Sequence, residues 1–261
     1  VSADRSRLIP AQRREELVRQ LRGDDVLSVR ELTQILDVSL MTVRRDINAL
    51  EREGRVHSVP GGVRLASRVV QEPSFDVKAS RDTAEKEAIA RTAGKLIQDG
   101  MAIYLDAGTT TGALVPFLCE HHGLTVISND FIIVDRLLGI NDMQIIHVGG
   151  LVEASNKSTV GRLAAEMLQH INTDMAFIST SSWDLSRGIT TPSESKVGVK
   201  LAAMQAALSS VLLVTSSKFG ILGLYDIAPL ERFDRIITDS QLPESVAAGI
   251  RDKGVRLDLA S

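Results

Sequence analysis

The sequence predicts an α/β protein of two parts. A winged helix-turn-helix over residues 1–66 precedes a larger, mostly parallel sheet domain over residues 82–261, with a linker at 67–81. Three observations predict it. Three short helical patterns lie before residue 54, and two strand-like stretches flank Pro60-Gly61-Gly62. From residue 101 onward, short apolar runs alternate with amphipathic stretches. A chain of 261 residues, 44% hydrophobic and 24% charged, can form both cores, which excludes wholesale disorder.

The first helical pattern runs from Pro10 to Arg22, with Leu17, Val18 and Leu21 on one side; Pro10 suits a first turn and Gly23-Asp24-Asp25 stops it. The second opens at Ser28, which pairs with Glu31 as a capping box, and buries Leu32, Ile35 and Leu36. After a short break at Asp37-Val38, Ser39 caps a third helix that ends at Gly54. Val43, Ile47 and Leu50 fall within roughly 60° of one another on one side of it. Met41, Arg44, Arg45, Asn48 and Arg52 fall within roughly 100° on the other. One face is core. The other carries long basic and amide side chains at the spacing of groups that read base edges and hold phosphates. On composition alone, a solvated surface with internal polar pairs remains the alternative for that face. RVHSV and VRLAS then read as the strands of a hairpin.

The net charge of −3 hides an asymmetry. Residues 1–66 hold 12 Arg, no Lys and 10 acidic residues, or +2, whereas the remainder carries −5. Arginine is the better fork for phosphates and guanine edges, although the surplus is small. No run approaches the roughly 18 apolar residues of a membrane span, and the opening VSADRSRLIPAQRREE has no apolar signal core. A single cysteine, Cys119, allows no internal disulfide, and five scattered histidines suggest no zinc site. A reduced, cytoplasmic protein with no metal, no cofactor and no membrane partner is expected.

The run VLSVRELTQILDVSLMTVRRDINALEREGRVHSVPGGV resembles the DNA-binding signature of DeoR-type bacterial transcription regulators. The matching positions are Val29, Leu32, Val38-Ser39, Thr42-Val43-Arg44-Arg45-Asp46, Leu50, Gly54 and Gly61-Gly62. The resemblance implies contact with double-stranded operator DNA through Ser39, Met41, Thr42, Arg44, Arg45 and Asn48. The wing departs from the family, which carries a basic pair and then His-Gly-Gly where His57, Ser58 and Pro60 stand here. Arg55 and Arg64 are left to hold phosphate.

Residues 67–81 lack helical periodicity and contain Pro73, so they read as a semi-extended linker. Asp82 with Glu85 reads as a second capping box, opening a helix striped by Ile89, Ala93, Leu96 and Ile97 that ends at Gly100. MAIYLD, LTVIS, MQIIHVG, DMAFIST, SVLLVT and RIITD read as strands of a sheet whose ligands sit at the carboxyl ends. The loop Asp106-Ala107-Gly108-Thr109-Thr110-Thr111-Gly112 combines close backbone approach, hydroxyls and a helix start, which is chemistry for a phosphate or carboxylate. A Thr-rich turn is also a common helix cap. Other strand ends supply Ser128-Asn129-Asp130, Gly149-Gly150 (a turn), Ser179 to Trp183, and Ser216-Ser217-Lys218. Asp184, Arg187, Gly188, Thr190, Glu194, Lys196 and Lys200 follow the fourth strand. The candidate effector residues are therefore Asp106, Gly108, Thr109, Thr110, Thr111, Asn129, Asp130, Ser181, Asp184, Glu194, Lys196 and Lys218. Lys218 neutralises an anion, and Asp130 and Asp184 take hydroxyls.

The strand-end residues also resemble the effector domain of the same regulators, at Asp106 to Thr110, Ser128-Asn129, Gly149-Gly150, Gly188 with Thr190, and Ser217 to Gly220. The resemblance implies a domain similar to ribose-5-phosphate isomerases that binds phosphate on its Gly-Thr loop. The stretch STSSWDLSRGITTPSESK departs from the common form, pointing to a different effector such as a sugar-acid phosphate. The implied function is a repressor of a carbohydrate or sugar-acid catabolic operon, a homo-oligomer (dimer or tetramer) controlled by a phosphorylated sugar. It is not expected to be an enzyme.

The alternative is an isomerase-like enzyme with an accessory winged helix. Isomerisation needs a carboxylate base, yet the strand end Ile178 to Ser182 offers only hydroxyls, with Asp184 and Glu194 the nearest acids. No GxxxxGK[ST] loop supports a kinase. A scaffold whose winged helix binds only protein is disfavoured by the basic outer face.

Overall fold

The computed structural model describes residues 8–23, 26–52, 54–59, 61–68 and 71–261. Asp24, Asp25, Pro60 and the side chain of Arg52, to which the sequence gives roles, lie outside that description.

The head comprises α1 (Pro10–Leu21), α2 (Val29–Leu36), α3 (Leu40–Arg52), β1 (Val56–Val59) and β2 (Gly62–Leu65). Ser28 Oγ accepts the Glu31 N–H at 3.1 Å and Glu31 Oε2 accepts the Ser28 N–H at 2.7 Å, the expected capping box. Asp37 adopts a left-handed conformation (φ 51°) that makes the turn before α3 tight. Ser39 Oγ then accepts the Thr42 N–H at 3.2 Å. Leu17, Leu32, Leu36, Val43, Leu50 and Val56 are fully buried against one another. Beneath them, Arg13 holds Asp46 through Nε and Nη2 in a buried bidentate pair that ties α1 to α3. β1 and β2 form an antiparallel hairpin in register Val56↔Leu65 to Val59↔Gly62.

The stretch read as a semi-extended linker contains β3 (Ser67–Arg68) and α4 (Phe75–Ala79). The larger domain continues through α5 (Thr83–Gly94), β4 (Ala102–Leu105), α6 (Thr109–Gly112), α7 (Val115–Leu118), β5 (Leu124–Ser128), α8 (Phe131–Leu137), β6 (Met143–His147), β7 (Leu151–Glu153), β8 (Ser158–Val160) and α9 (Arg162–Leu168). It ends with β9 (Thr173–Ser179), β10 (Ser182–Asp184), β11 (Gly188–Thr191), α10 (Ser195–Ala206), β12 (Ala207–Leu213), β13 (Ile221–Leu222), β14 (Tyr225–Ala228), β15 (Arg235–Asp239), α11 (Glu244–Asp252) and β16 (Arg256–Ala260).

Seven strands form one sheet in the order β16-β15-β12-β9-β4-β5-β6, with every pairing parallel. Successive strand residues face opposite sides, so two cores result. Ile103, Leu105, Val126, Phe177 and Leu213 pack against α5, α7 and α8. Tyr104, Ile127, Ile178 and Leu212 pack against α9, α10 and α11. The six sequence-predicted strands are β4, β5, β6, β9, β12 and β15; the edge strand β16 was not foreseen.

The second capping box is absent. Asp82 is left-handed (φ 51°), and its carboxylate accepts the Thr215 and Ser217 hydroxyls at 3.3 and 2.6 Å rather than capping α5. α5 also stops at Gly94, short of Gly100. Among the described residues no helix is long and apolar enough to cross a membrane, and no group of three or more His, Cys, Asp or Glu is placed to hold a metal ion.

Candidate functional site

The two faces of α3 separate as the periodicity requires. Val43, Ile47 and Leu50 are buried, whereas Arg44, Arg45 and Asn48 are exposed and Met41 is 77% exposed. Met41, Arg44 and Arg45 form an open, basic surface of the kind that enters a major groove. Asn48 instead lines, with Glu51, His57, Asp184, Leu185 and Phe219, a cavity of about 500 Å³ between the head and the sheet domain.

The wing arginines differ from expectation. Arg55 makes a two-pronged ion pair with Glu15 of α1, at 2.6 and 2.9 Å. Arg64 Nη2 donates to the Phe219 carbonyl. Both side chains assigned to DNA phosphate are engaged within the protein in this arrangement.

The Arg64 contact belongs to a larger docking surface. The His57 ring meets Phe219 edge-on at 5.5 Å between centroids, and Phe219 meets Trp183 at 5.1 Å. Gly220 has φ +73°, and a Cβ there would lie 2.4 Å from the Cβ of His57, so only glycine admits the wing. β3 extends the contact by pairing in parallel with β13. Burial pushes the His57 imidazole below its ordinary range, opposed by Asp184 and reinforced by Arg64.

The wing thus rests on the segment that follows Lys218, at the mouth of an inner cleft formed where β4, β5 and β9 end. Gly108, Thr109 and Thr110 line one wall; Ser179, Thr180 and Ser181 line another; Lys78, Lys196, Lys200 and Lys218 surround the space. The four lysines face two carboxylates, Glu72 and Asp106. Glu72 pairs with Lys78 (2.6 Å) and Lys196, and Asp106 pairs with Lys200. Burial works to raise Glu72, but the two lysines outweigh it and hold the carboxyl at about 2. Lys218 Nζ donates to the Thr180 carbonyl at 2.9 Å. Burial, with Lys86 and Lys78 nearby, lowers its amine to about 8.

Two hydroxyls, Thr110 Oγ1 and Ser158 Oγ, are buried at this cleft with no hydrogen-bond partner among the described residues. Buried polar groups are seldom left so, and a ligand or water acceptor would satisfy them. Gly108 is needed here as well, since a Cβ would stand 2.7 Å from Ser179 Oγ. The arrangement offers charge and hydroxyls suited to an anion with hydroxyl groups attached.

Of the residues named from the sequence, Asp106, Gly108, Thr109, Thr110, Asn129, Ser181, Lys196 and Lys218 line this cleft. Asn129 is occupied in holding the loop: its Oδ1 accepts the Tyr104 hydroxyl and the Ala107 N–H, and its Nδ2 donates to the Thr159 carbonyl. Asp130 caps α8 through Ile132 and Ile133 and accepts the Gly108 N–H, so it shapes the loop rather than presenting to a hydroxyl. Thr111 turns inward, its hydroxyl donating to the Asp106 and Gly108 carbonyls. Asp184 accepts the Ser186 and Arg187 N–H groups of its own turn and lines the interdomain cavity instead. Glu194 is exposed at the start of α10, outside the cleft lining.

Sequence reasoning missed Glu72 and Lys78, which it had placed in a linker. It named Lys200 after the fourth strand but left it out of the effector set, although that residue lies four after Lys196, one helical turn along α10 and on the same face.

A winged helix with an exposed basic face, docked on a sheet domain with an anion cleft, defines a ligand-responsive DNA-binding regulator. Residues 13–69 match the DeoR-like helix-turn-helix domain and residues 81–240 the DeoR C terminal sensor domain. Over 253 residues the chain is 45% identical to an uncharacterised HTH-type transcriptional regulator of Haemophilus influenzae, covering 97% of this chain and 98% of that one. Over 248 residues it is 27% identical to the glycerol-3-phosphate regulon repressor of Escherichia coli strain K12, covering 95% and 98%. Ribose 5-phosphate isomerase A of Methanocaldococcus jannaschii aligns at a TM-score of 0.37 with 18% identity, covering 51% of this chain and 53% of that one. The chain belongs to the DeoR family of transcriptional regulators.

Proposed function

We propose that this regulator represses a carbohydrate or sugar-acid catabolic operon and that a phosphorylated sugar metabolite controls it from the inner cleft. The observation that carries the reading is the cleft itself: four lysines against two carboxylates, with Thr110 and Ser158 in its lining, their buried hydroxyls without a hydrogen-bond partner among the described residues. Phosphate sits against Gly108, Thr109 and Thr110, neutralised by Lys218, while Ser181, which lines the wall toward the outer chamber, meets the sugar. A relative named as a glycerol-3-phosphate regulon repressor fits the same ligand chemistry.

On the DNA side, Arg44 and Arg45, with Met41, Thr42 and Ser39, enter the major groove. Arg55 and Arg64 reach phosphate only after leaving Glu15 and Phe219. One head offers a small interface, so a homo-oligomer, dimer or tetramer, reads repeated half-sites of double-stranded operator. The effector acts by favouring one placement of the heads over another.

The isomerase reading fares worse. A free carboxylate base is required, and both carboxylates of the cleft are paired with lysines, Glu72 with Lys78 and Lys196 and Asp106 with Lys200.

The test is binding of the full chain to its upstream intergenic DNA across a salt series, with a panel of sugar phosphates and sugar acids. Specific, salt-sensitive binding altered by one phosphorylated compound is expected. Turnover of a sugar phosphate without DNA binding would overturn the proposal.

A further inference from the structure

The inner cleft is narrow. Its volume is about 30 Å³, whereas a second chamber of about 430 Å³ opens beside it. The two share Lys78, Thr109, Ser181 and Lys218 as a common wall. A ligand whose phosphate enters the inner cleft has the outer chamber open to the rest of its body.

That chamber is strongly basic. Arg64, Arg81 and Lys86 join Lys78 and Lys218 there, against the single carboxylate of Asp82. The Asp82 carboxylate is taken by the Thr215 and Ser217 hydroxyls, and Lys86 Nζ is turned to the Lys78 and Arg81 carbonyls. Arg81 is exposed, with no ion-pair partner among the described residues. Arg64 comes from the wing, not from the sheet domain. Its Nη2 donates to the Phe219 carbonyl, beside the chamber it lines.

We propose that Arg64 and Arg81 form a receptor for a second anionic group of the effector, so that the site selects ligands with anionic groups at both ends. The proposal rests on the phosphate reading given above and adds to it the class of ligand. A second carboxylate and a second phosphate share the required chemistry. It also makes a residue of the DNA-binding head part of the effector site, so that a correctly charged ligand draws directly on the wing.

Calorimetry of the full chain with matched ligands tests this. Glucose 6-phosphate is compared with 6-phosphogluconate, which adds a carboxylate. Fructose 6-phosphate is compared with fructose 1,6-bisphosphate, which adds a phosphate. Inorganic phosphate reports the inner cleft through the part of its binding that is lost in Lys196→Ala, a residue of that cleft and not of the outer chamber.

The expected result is tighter binding of at least one doubly charged member than of its partner, by about tenfold. Arg64→Ala and, independently, the exposed Arg81→Ala each reduce that preference while inorganic phosphate binds as before. Which pair shows the preference identifies the second group as carboxylate or phosphate. Inorganic phosphate that binds without preference in either pair overturns the two-anion receptor but leaves the phosphate reading standing, as does a preference that survives both substitutions. Failure of inorganic phosphate and all four sugars to bind overturns both.

Discussion

Raising the pH through the titration of Lys218 is expected to weaken effector binding, by an amount the structure sets. Burial, with Lys86 and Lys78 nearby, holds this amine at about 8 in the free protein. A bound phosphate stabilises the ammonium and raises that value, so binding favours the protonated form. A phosphate monoester is already largely dianionic above its second pKa of about 6, so its own charge changes little. At about pH 9 only about one-tenth of the free protein carries the Lys218 charge, and affinity should be about tenfold lower than at about pH 7.

Folding stability responds with the opposite sign. A lysine lowered from 10.5 to about 8 binds fewer protons folded than unfolded between those values, so its cost to the fold is relieved as pH rises through that window. Calorimetric titration with glucose 6-phosphate, a phosphate monoester, at several pH values, in the wild-type and Lys218→Arg proteins, measures the effect. Arginine stays charged throughout, so its profile should be flat. An equal decline in both proteins, or none in the wild type, would refute the placement of Lys218 against the anion.

Three substitutions probe the rest. Arg45→Ala should cost about 1–3 kcal/mol of specific operator binding with melting and effector binding unchanged, read by DNA titration alongside a thermal melt; a fall in melting temperature would mean the faces of α3 are misassigned. Asp46→Ala strands the buried Arg13 and should destabilise the head by ~3–5 kcal/mol, measured by denaturant unfolding; a change near zero would remove the pair from the head's stability. Gly220→Ala puts a methyl against His57 at a left-handed position and should release the wing, seen as faster proteolysis of the segment 67–81; unchanged protection would show that the docking does not depend on that contact.

Much of the fold was legible because its periodicities are strong. The stripe Val43, Ile47 and Leu50 and the capping box at Ser28 are local signals, and both reappear in the structure. The central strands read clearly because buried parallel strands are continuous apolar runs. β16 did not, since RLDLA alternates polar with apolar and lies at a sheet edge. Asp82 misled for a different reason: Asp followed three residues later by Glu suits a capping box, but its carboxylate found two hydroxyls more than 130 residues away in sequence. The Gly-Thr loop was visible as a candidate anion site, with Lys196 and Lys218 as counter-charges, whereas Glu72 and Lys78 were not. Glu72 and Lys78 reach the cleft through the fold of α4 and its flanking chain, which no local pattern announces.

That misreading bears on how a ligand could be felt by DNA. A plain tether between the domains would transmit little. Instead the intervening chain supplies Glu72 and Lys78 to the cleft and β3 to the pairing with β13, and the wing rests on Phe219 and Gly220, directly after Lys218. A ligand shifts the head only by the difference in its affinity for the two placements. Contacts that can differ lie within a few residues of one another: Lys218 on the Thr180 carbonyl, Arg64 on the Phe219 carbonyl, and the His57 ring on Phe219. An anion that pulls Lys218 from Thr180 loosens the segment on which the wing sits, and one that also engages Arg64 competes for the wing itself. Each tenfold difference in affinity between placements is about 1.4 kcal/mol, so two such contacts suffice for the 1–3 kcal/mol, roughly, of a typical allosteric coupling.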